Sequence, residues 1–115
     1  MTTERELLKG NTPTLILSVL RDAPQHGYAI AHEIEKRSGD VLKFKHGTLY
    51  PALHALETDG LIIGAWEHSD ADRPRKIYTI TPSGLAELAR RLGVWFKFST
   101  AINDIVGGTI HEQPA

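Results

Sequence analysis

Histidine is the residue type in this chain that most invites a catalytic or metal-binding interpretation. No two histidines are spaced as in the metal-binding pattern His-Glu-x-x-His, and there is no cysteine to supply a thiolate ligand, a disulfide or a nucleophile. The sequence also lacks a glycine-rich phosphate loop and a Gly-x-Ser-x-Gly turn. We therefore expect no metal, no cofactor and no enzymatic activity. The scattered histidines are His26, His32, His46, His54, His68 and His111.

Positive charge is the second chemical feature, and it is concentrated locally. The formal net charge is −1, so the chain is not uniformly basic. Lysine and arginine neutralise DNA phosphates only where they touch them, so the distribution of charge matters more than the total. Two clusters stand out, Lys36, Arg37, Lys43 and Lys45 first, then Arg73, Arg75 and Lys76. Duplex DNA therefore stays a candidate partner.

The composition is that of a single globular domain. Apolar residues make up 41% of the 115 residues and charged residues 23%, which is ordinary globular usage. No apolar run approaches the roughly 18 residues of a membrane-spanning helix, and the first residues lack the basic-then-apolar order of a secretion signal. We expect a cytoplasmic protein.

Three short helices are predicted to come first. Thr12-Pro13 has the order of an N-cap followed by a proline in the first turn, which predicts a helix over 13–22. Apolar residues at helical spacing predict two more helices, over 27–38 and 47–59. Pro51 is compatible with the third helix because backbone N–H groups in a first turn are unpaired anyway.

A hairpin and a long helix are predicted to follow. Residues rich in β-branched and aromatic side chains predict strands over 61–67 and 76–80, joined by a charged loop. Thr81-Pro82 repeats the cap-plus-proline start and predicts a fourth helix that ends at Gly107.

This order of elements is typical of a winged helix-turn-helix, a mainly α fold with a small β-hairpin (α+β). In it, the first two helices and the sheet bury the apolar side of the third helix. The expected division is a winged helix DNA-binding domain over 1–80 with an N-terminal extension over 1–11, a dimerisation helix over 81–107 and a flexible tail over 108–115.

The third helix has a polar side that a DNA groove could accept. If its leucines face the core, the remaining side consists of Thr48, Tyr50, Pro51, His54, Ala55 and Thr58. Hydrogen-bonding and small apolar groups of this kind can read base edges in the major groove, while the flanking cations contact phosphates. The alternative is an ordinary solvated helix beside a solvated loop, since Asp70 and Asp72 would repel phosphate.

Several motifs, in order along the chain, strongly resemble the PadR-like family of bacterial repressors. They are His26-Gly27-Tyr28, Gly47-Thr48-Leu49-Tyr50-Pro51-Ala52-Leu53-His54, Leu56-Glu57 before Gly60-Leu61-Ile62, and Arg73-Pro74-Arg75-Lys76 with Tyr78 and Thr81-Pro82. The resemblance spans roughly residues 7–106. It implies a winged helix repressor that dimerises through its C-terminal helix and is released by a small molecule or stress cue.

The resemblance and the residue pattern together give a set of expected DNA contacts. Two departures from the family, Ala55 in place of a frequent basic residue and His46 in place of an acidic residue or proline, suggest a different operator preference. Tyr50 is either a contact or half buried. The expected contacts are Tyr28, Lys43, Lys45, His46, Thr48, Tyr50, Pro51, His54, Arg73, Arg75 and Lys76.

The fourth helix carries a heptad stripe that so small a domain cannot hide, so a second copy of the chain is the expected partner. Trp95, Phe96 and Phe98 either stack a small aromatic or planar cationic effector between two subunits or are ordinary dimer-core residues. Gly93 and Ser99 loosen the seam. Its predicted residues are Leu85, Leu88, Leu92, Trp95, Ile102 and Val106.

Two functions therefore remain open at the level of sequence. The first is a homodimeric transcriptional regulator, expected to be a repressor, that binds an inverted-repeat operator. The second is a winged helix that serves only as a protein–protein interaction module, which the slightly acidic net charge would suit. Binding to a duplex that falls steeply with added salt would favour the first.

Overall fold

The structure, a computed structural model, describes residues 4–44, 47–67 and 74–107, with side chains from residue 10 onward. It is mostly helical with a small antiparallel sheet, which confirms the predicted fold class. Within these ranges no helix is long and apolar enough to cross a bilayer. In chain order the elements are α1 (Glu4–Asp22), β1 (Gln25–His26), α2 (Gly27–Arg37), α3 (Leu49–Thr58), β2 (Ile62–Glu67), β3 (Arg75–Ile80) and α4 (Pro82–Ile105).

The first helix is much longer than predicted. α1 begins at Glu4, so Pro13 lies inside it, and the expectation of an extension over 1–11 followed by a helix from 13 was wrong. A proline removes one helical hydrogen bond, but packing can compensate for that loss. Thr12 is buried and α1 packs against α4, so tertiary contacts hold the helix on both sides of Pro13.

The sheet has a strand that the sequence did not predict. The hairpin strands β2 and β3 pair antiparallel from Ile62 opposite Ile80 to Glu67 opposite Arg75, close to the predicted bounds. The short β1 pairs with the other edge of β3, and the strand order is β1-β3-β2. Two residues are too few to show an alternating pattern, so β1 exists only through its pairing with β3.

The core lies where α1, α2, α3, the sheet and the start of α4 meet. Every one of these elements contributes side chains that are nearly inaccessible to solvent. They are Ile16, Leu17, Val19, Leu20, Ile30, Ile34, Leu49, Leu53, Leu56, Ile62, Tyr78 and Leu88. The core therefore fixes α3 against both the other helices and the hairpin.

The start of α4 is locked to the hairpin. The Thr81 hydroxyl accepts a hydrogen bond from the Gly84 N–H at 3.0 Å and donates one to the Gly60 carbonyl at 2.8 Å, which confirms the predicted N-cap. Gly84 is buried so close to the Leu61 carbonyl that a Cβ there would collide with backbone. The first turns of α4 are thus part of the winged helix core.

We predict that Gly84→Ala lowers the free energy of unfolding by about 1–3 kcal/mol, because the new methyl group meets backbone that cannot yield. Urea unfolding followed by circular dichroism measures this. Gly93→Ala is the matched control on the same helix, since a Cβ at Gly93 meets nothing within 4 Å and should stabilise the helix by about 0.5–1 kcal/mol. Equal effects of the two substitutions would contradict the packing of α4 on Leu61.

Candidate nucleic-acid interface

The side of α3 that faces away from the core is exposed along its whole length. Leu49, Leu53 and Leu56 are buried, with Leu53 fully inaccessible, and they hold α3 on its apolar side. Thr48, which precedes the helix, and five helical positions have their side chains open to solvent. These positions are Tyr50, Pro51, His54, Ala55 and Thr58. The surface that we call the reading face is this set with Thr48.

Tyrosines extend the reading face towards α2. Tyr50 is exposed, and its ring lies directly over Gly27 at the start of α2, where a Cβ would come within 3.1 Å of Tyr50 Cε1. Tyr28, next to that glycine, is 79% exposed and stacks on His32 with ring centroids 6.4 Å apart. The absence of a side chain at Gly27 therefore allows Tyr50 to rest against α2 while staying accessible. Gly27 was part of a motif noted in the sequence, but its contact with Tyr50 was not predicted.

Two lysines of the first cation cluster, Lys43 and Lys45, follow α2, and the described part of this loop is held by polar contacts. The Leu42 N–H donates to Ser38 Oγ at 3.0 Å, and the Phe44 N–H donates to Glu35 Oε2 at 3.2 Å. Lys43 lies between these two anchored residues and is exposed. Its position just before α3 is therefore defined by the fold, although neither contact was predicted.

Part of the predicted contact set lies outside the described residues. This applies to Lys45, His46 and Arg73, and to the loop tip with Asp70 and Asp72. The tail over 108–115 also lies outside them. Arg75 is exposed at the start of β3, opposite Glu67.

Lys76, which was expected to contact DNA, is less exposed than Lys43 and Arg75 and has an acidic partner within its own chain. Its ammonium lies 2.9 Å from Glu57 Oε1 near the end of α3. It also lies 5.5 Å from the ring centroid of Tyr78 and 5.9 Å from that of Trp66. The hydrogen bond that the ammonium donates to Glu57 raises the pKa of Lys76 above its ordinary value. The charge is thus used inside the protein, between α3 and the sheet.

His26 lies in the strand that sequence reasoning missed. Its Nε2 is 3.6 Å from Glu67 Oε1, is inaccessible to solvent and has no hydrogen-bond partner among the residues that the structure describes. Throughout the described ranges no three histidine, aspartate or glutamate side chains cluster in a way that could hold a metal ion.

The predicted dimer residues fall into two groups. Leu88 was assigned to the seam, but it is 2% exposed and packs in the core of its own chain, so it is not available to a partner. Leu92 packs partly against the same core. The remaining residues, Leu85, Trp95, Ile102 and Val106, are exposed.

A cleft of about 740 Å³ that is open to solvent on one side lies between the middle of α1 and the middle of α4, and we call it the cavity. Trp95 and Phe98 line it, with ring centroids 6.3 Å apart, whereas Phe96 is exposed and does not line it. Arg90 and Arg91 also border the cavity, and both guanidinium groups pair with Glu87 at 2.7 Å. These hydrogen bonds lower the pKa of Glu87 to about 2, so the carboxylate stays ionised near neutral pH.

The chain is similar in sequence to known transcriptional regulators. The model of the family described as "Transcriptional regulator PadR-like family" matches residues 16–90. Transcriptional regulator Rv3488 of Mycobacterium tuberculosis is 36% identical over 84 residues, which are 73% of this chain and 75% of that protein.

Solved structures agree with the sequence comparison. A transcriptional regulator from Clostridium thermocellum superposes with a TM-score of 0.81 at 29% identity, over 88% of this chain and 98% of that one. PadR of Bacillus subtilis, solved in complex with operator DNA, gives a TM-score of 0.64 at 31% identity, over 70% of this chain and 46% of that one. The chain therefore belongs to the transcriptional regulator PadR-like family.

Proposed function

We propose that this chain is a transcriptional repressor that binds an inverted-repeat operator as a homodimer and leaves it when a small effector binds. The observation that carries the proposal is the reading face, an unbroken exposed side of a short helix whose opposite side is fixed in the core. An α-helix fits the major groove of B-DNA, where hydrogen-bonding side chains distinguish base pairs. The operator complex of the Bacillus subtilis relative supports this use of the fold.

Two exposed cations are candidates for phosphate contacts beside the reading face. Lys43 precedes α3 in the chain, and Arg75 lies at the loop end of the hairpin. In this arrangement α3 enters the groove while the two cations contact phosphates of the flanking backbones. Thr48 and His54 contribute hydrogen-bonding groups to the reading face, and Tyr28 and Tyr50 contribute aromatic contacts to the backbone.

The homodimer follows from the apolar surface of α4. Its second half leaves Trp95, Phe96, Phe98 and Ile105 each about half exposed or more, which a lone small domain would present to water. A second copy of α4 can cover this surface in an antiparallel or crossed pair. Two-fold symmetry then predicts two half-sites about one helical turn, or a multiple of it, apart. The seam that we propose is Leu85, Leu92, Trp95, Ile102 and Val106.

The cavity between α1 and α4 is the proposed effector site. Trp95 and Phe98 offer two aromatic faces to it, and its size suits a small planar molecule. Because Trp95 also belongs to the proposed seam, an effector stacked there would contact both subunits. Phe96 does not line the cavity and is therefore not part of the proposed effector site.

Lys43→Ala and His54→Ala should affect DNA binding differently. Loss of Lys43 should weaken binding to every duplex. The salt slope, which is the slope of log K against the logarithm of salt concentration, should decrease in magnitude by about 1 for each subunit bound, because each subunit loses one phosphate contact. Loss of His54 should change which operator sequence is preferred. The operator is first identified by footprinting on the protein's own promoter. Fluorescence anisotropy with this operator and with a scrambled duplex, at several salt concentrations, then measures both effects.

Lys97→Ala is the control for this series, because it removes an exposed lysine from α4, away from the reading face. It should leave affinity and salt slope unchanged. Duplex binding that does not depend on salt in the unaltered protein would point instead to a protein–protein interaction module.

Ile102→Glu should convert the homodimer to monomers, because it places a charge in the apolar seam. Sedimentation equilibrium measures the change, and operator affinity should fall with it. Lys97→Glu introduces the same carboxylate nearly opposite on the helix and should leave the dimer intact. A dimer that tolerates Ile102→Glu would show that α4 is not its seam.

Trp95→Ala should weaken binding of a planar dye such as acridine orange more than it weakens dimerisation, because it removes one wall of the cavity. Phe96→Ala is the matched control and should affect dye binding little. Dye titrations followed by dye fluorescence, with sedimentation on the same samples, separate the two effects. Unchanged titrations of Trp95→Ala would remove the effector site.

A further inference from the structure

The ion pair between Glu57 and Lys76 connects the reading helix to the hairpin. Glu57 lies in the last turn of α3 and Lys76 lies on β3, 19 positions later in the chain. The Lys76 ammonium donates to Glu57 Oε1 at 2.9 Å, and the two side chains are only 28% and 30% exposed. Both groups are therefore partly shielded from water, which strengthens a pair of this kind over a fully exposed one.

Two aromatic rings and a glycine of the sheet surround the side chain of Lys76. Trp66 stands opposite Lys76 and Gly64 stands opposite Tyr78 in the pairing of β2 with β3, so these four residues share one face of the sheet. The ammonium lies within 6 Å of both ring centroids, as in cation–π contacts. A Cβ at Gly64 would collide with the Lys76 stem. The glycine thus leaves a path along which the side chain reaches α3.

Within the described residues, α3 is also held by apolar packing and by a backbone hydrogen bond in the turn that leads to β2. Leu53 and Leu56 hold α3 on the core, and the Leu61 N–H donates to the Leu56 carbonyl at 3.0 Å where the chain turns into β2. Apolar packing resists separation of two surfaces but has no directional preference. A charge-assisted hydrogen bond does have one, so the ion pair can set the rotation of α3 relative to β3.

We propose that Glu57 and Lys76 are positioning residues that hold the reading helix at a fixed angle to the hairpin, and that Lys76 makes no phosphate contact. The inference rests on the proposed function, since this angle matters when α3 and the hairpin must fit one duplex together. It assigns a role to Glu57, an acidic residue beside a DNA-binding surface that would otherwise only repel phosphate.

Whether Glu57→Gln raises or lowers operator affinity distinguishes the positioning role from a phosphate contact by Lys76 that a nearby anion merely weakens. If Lys76 contacted phosphate and Glu57 were merely a nearby anion, removal of the carboxylate would strengthen binding to any duplex. If the pair positions α3, Glu57→Gln weakens binding to the operator although a negative charge has been removed. Binding to a scrambled duplex, which depends on phosphate contacts, stays unchanged or rises slightly.

The experiment uses the full chain, the footprinted operator and a scrambled duplex of equal length, with anisotropy measured at several salt concentrations. Glu57→Gln and Lys76→Met should each weaken operator binding about twofold to fivefold. The double variant should lose no more operator affinity than the single variant with the larger loss, because the same ion pair is broken in all three proteins. The salt slope should stay that of the unaltered protein. Lys76→Arg, which keeps a donor for Glu57, should restore most of the operator affinity.

Two controls separate positioning from general stability and from phosphate contact. Glu33→Gln makes the same carboxylate-to-amide change in an ion pair with Arg37 within α2 and should not change operator affinity. Lys43→Ala should lower the salt slope, which shows that the assay detects a phosphate contact. Thermal unfolding of each variant ensures that binding is measured on folded protein.

Stronger operator binding by Glu57→Gln, a smaller salt slope for Lys76→Met, or additive losses in the double variant would each overturn the positioning role. These results are read against an unaltered protein that binds the operator. If the unaltered protein binds no duplex, the proposed function itself fails, which is a distinct outcome.

Discussion

The burial of one side of α3 is the constraint on which the rest of the molecule depends. The helix has only ten residues, and Leu49, Leu53 and Leu56 form a single apolar stripe along it. An apolar stripe of this width is buried when it faces the core formed by α1, α2 and the sheet. The remaining side is then exposed by necessity. The reading face is therefore a consequence of how the core closes, and it needs no separate device to keep it accessible.

The elements that could be predicted from the sequence are those with local signals. α3 and α4 have apolar periodicity, and the Thr81-Pro82 start of α4 has a hydroxyl cap that the structure reproduces. What could not be predicted depends on contacts between distant residues. The strand β1 exists through pairing with β3, and α1, which packs on α4, continues through Pro13.

The same distinction applies to the candidate site. The exposed positions of α3 were predictable, because helical spacing assigns each residue to a side. The ion pair of Lys76 was not predictable, because the cations at 73–76 do not indicate which of them pairs with a glutamate 19 positions earlier. Leu88 shows a related limit, since a heptad stripe identifies an apolar face but not its partner. Along α4 that partner changes, from the chain's own core at Leu88 to an uncovered surface beyond Trp95.

α1 is the element through which the proposed effector site and the reading helix are in mechanical contact. One side of it carries Ile16, Leu17 and Leu20 into the core, where α1 also packs on α3, and another side lines the cavity with Thr14 and Leu15. Under the proposed regulation, a ligand that separated α1 from α4 would also move the surface on which α3 rests, because packed interiors transmit strain. In a homodimer the two reading helices must keep their spacing to fit two half-sites at once, so a small displacement in each subunit is doubled across the pair. Regulation in such a molecule needs no relay beyond one helix that has the cavity on one side and the core on the other.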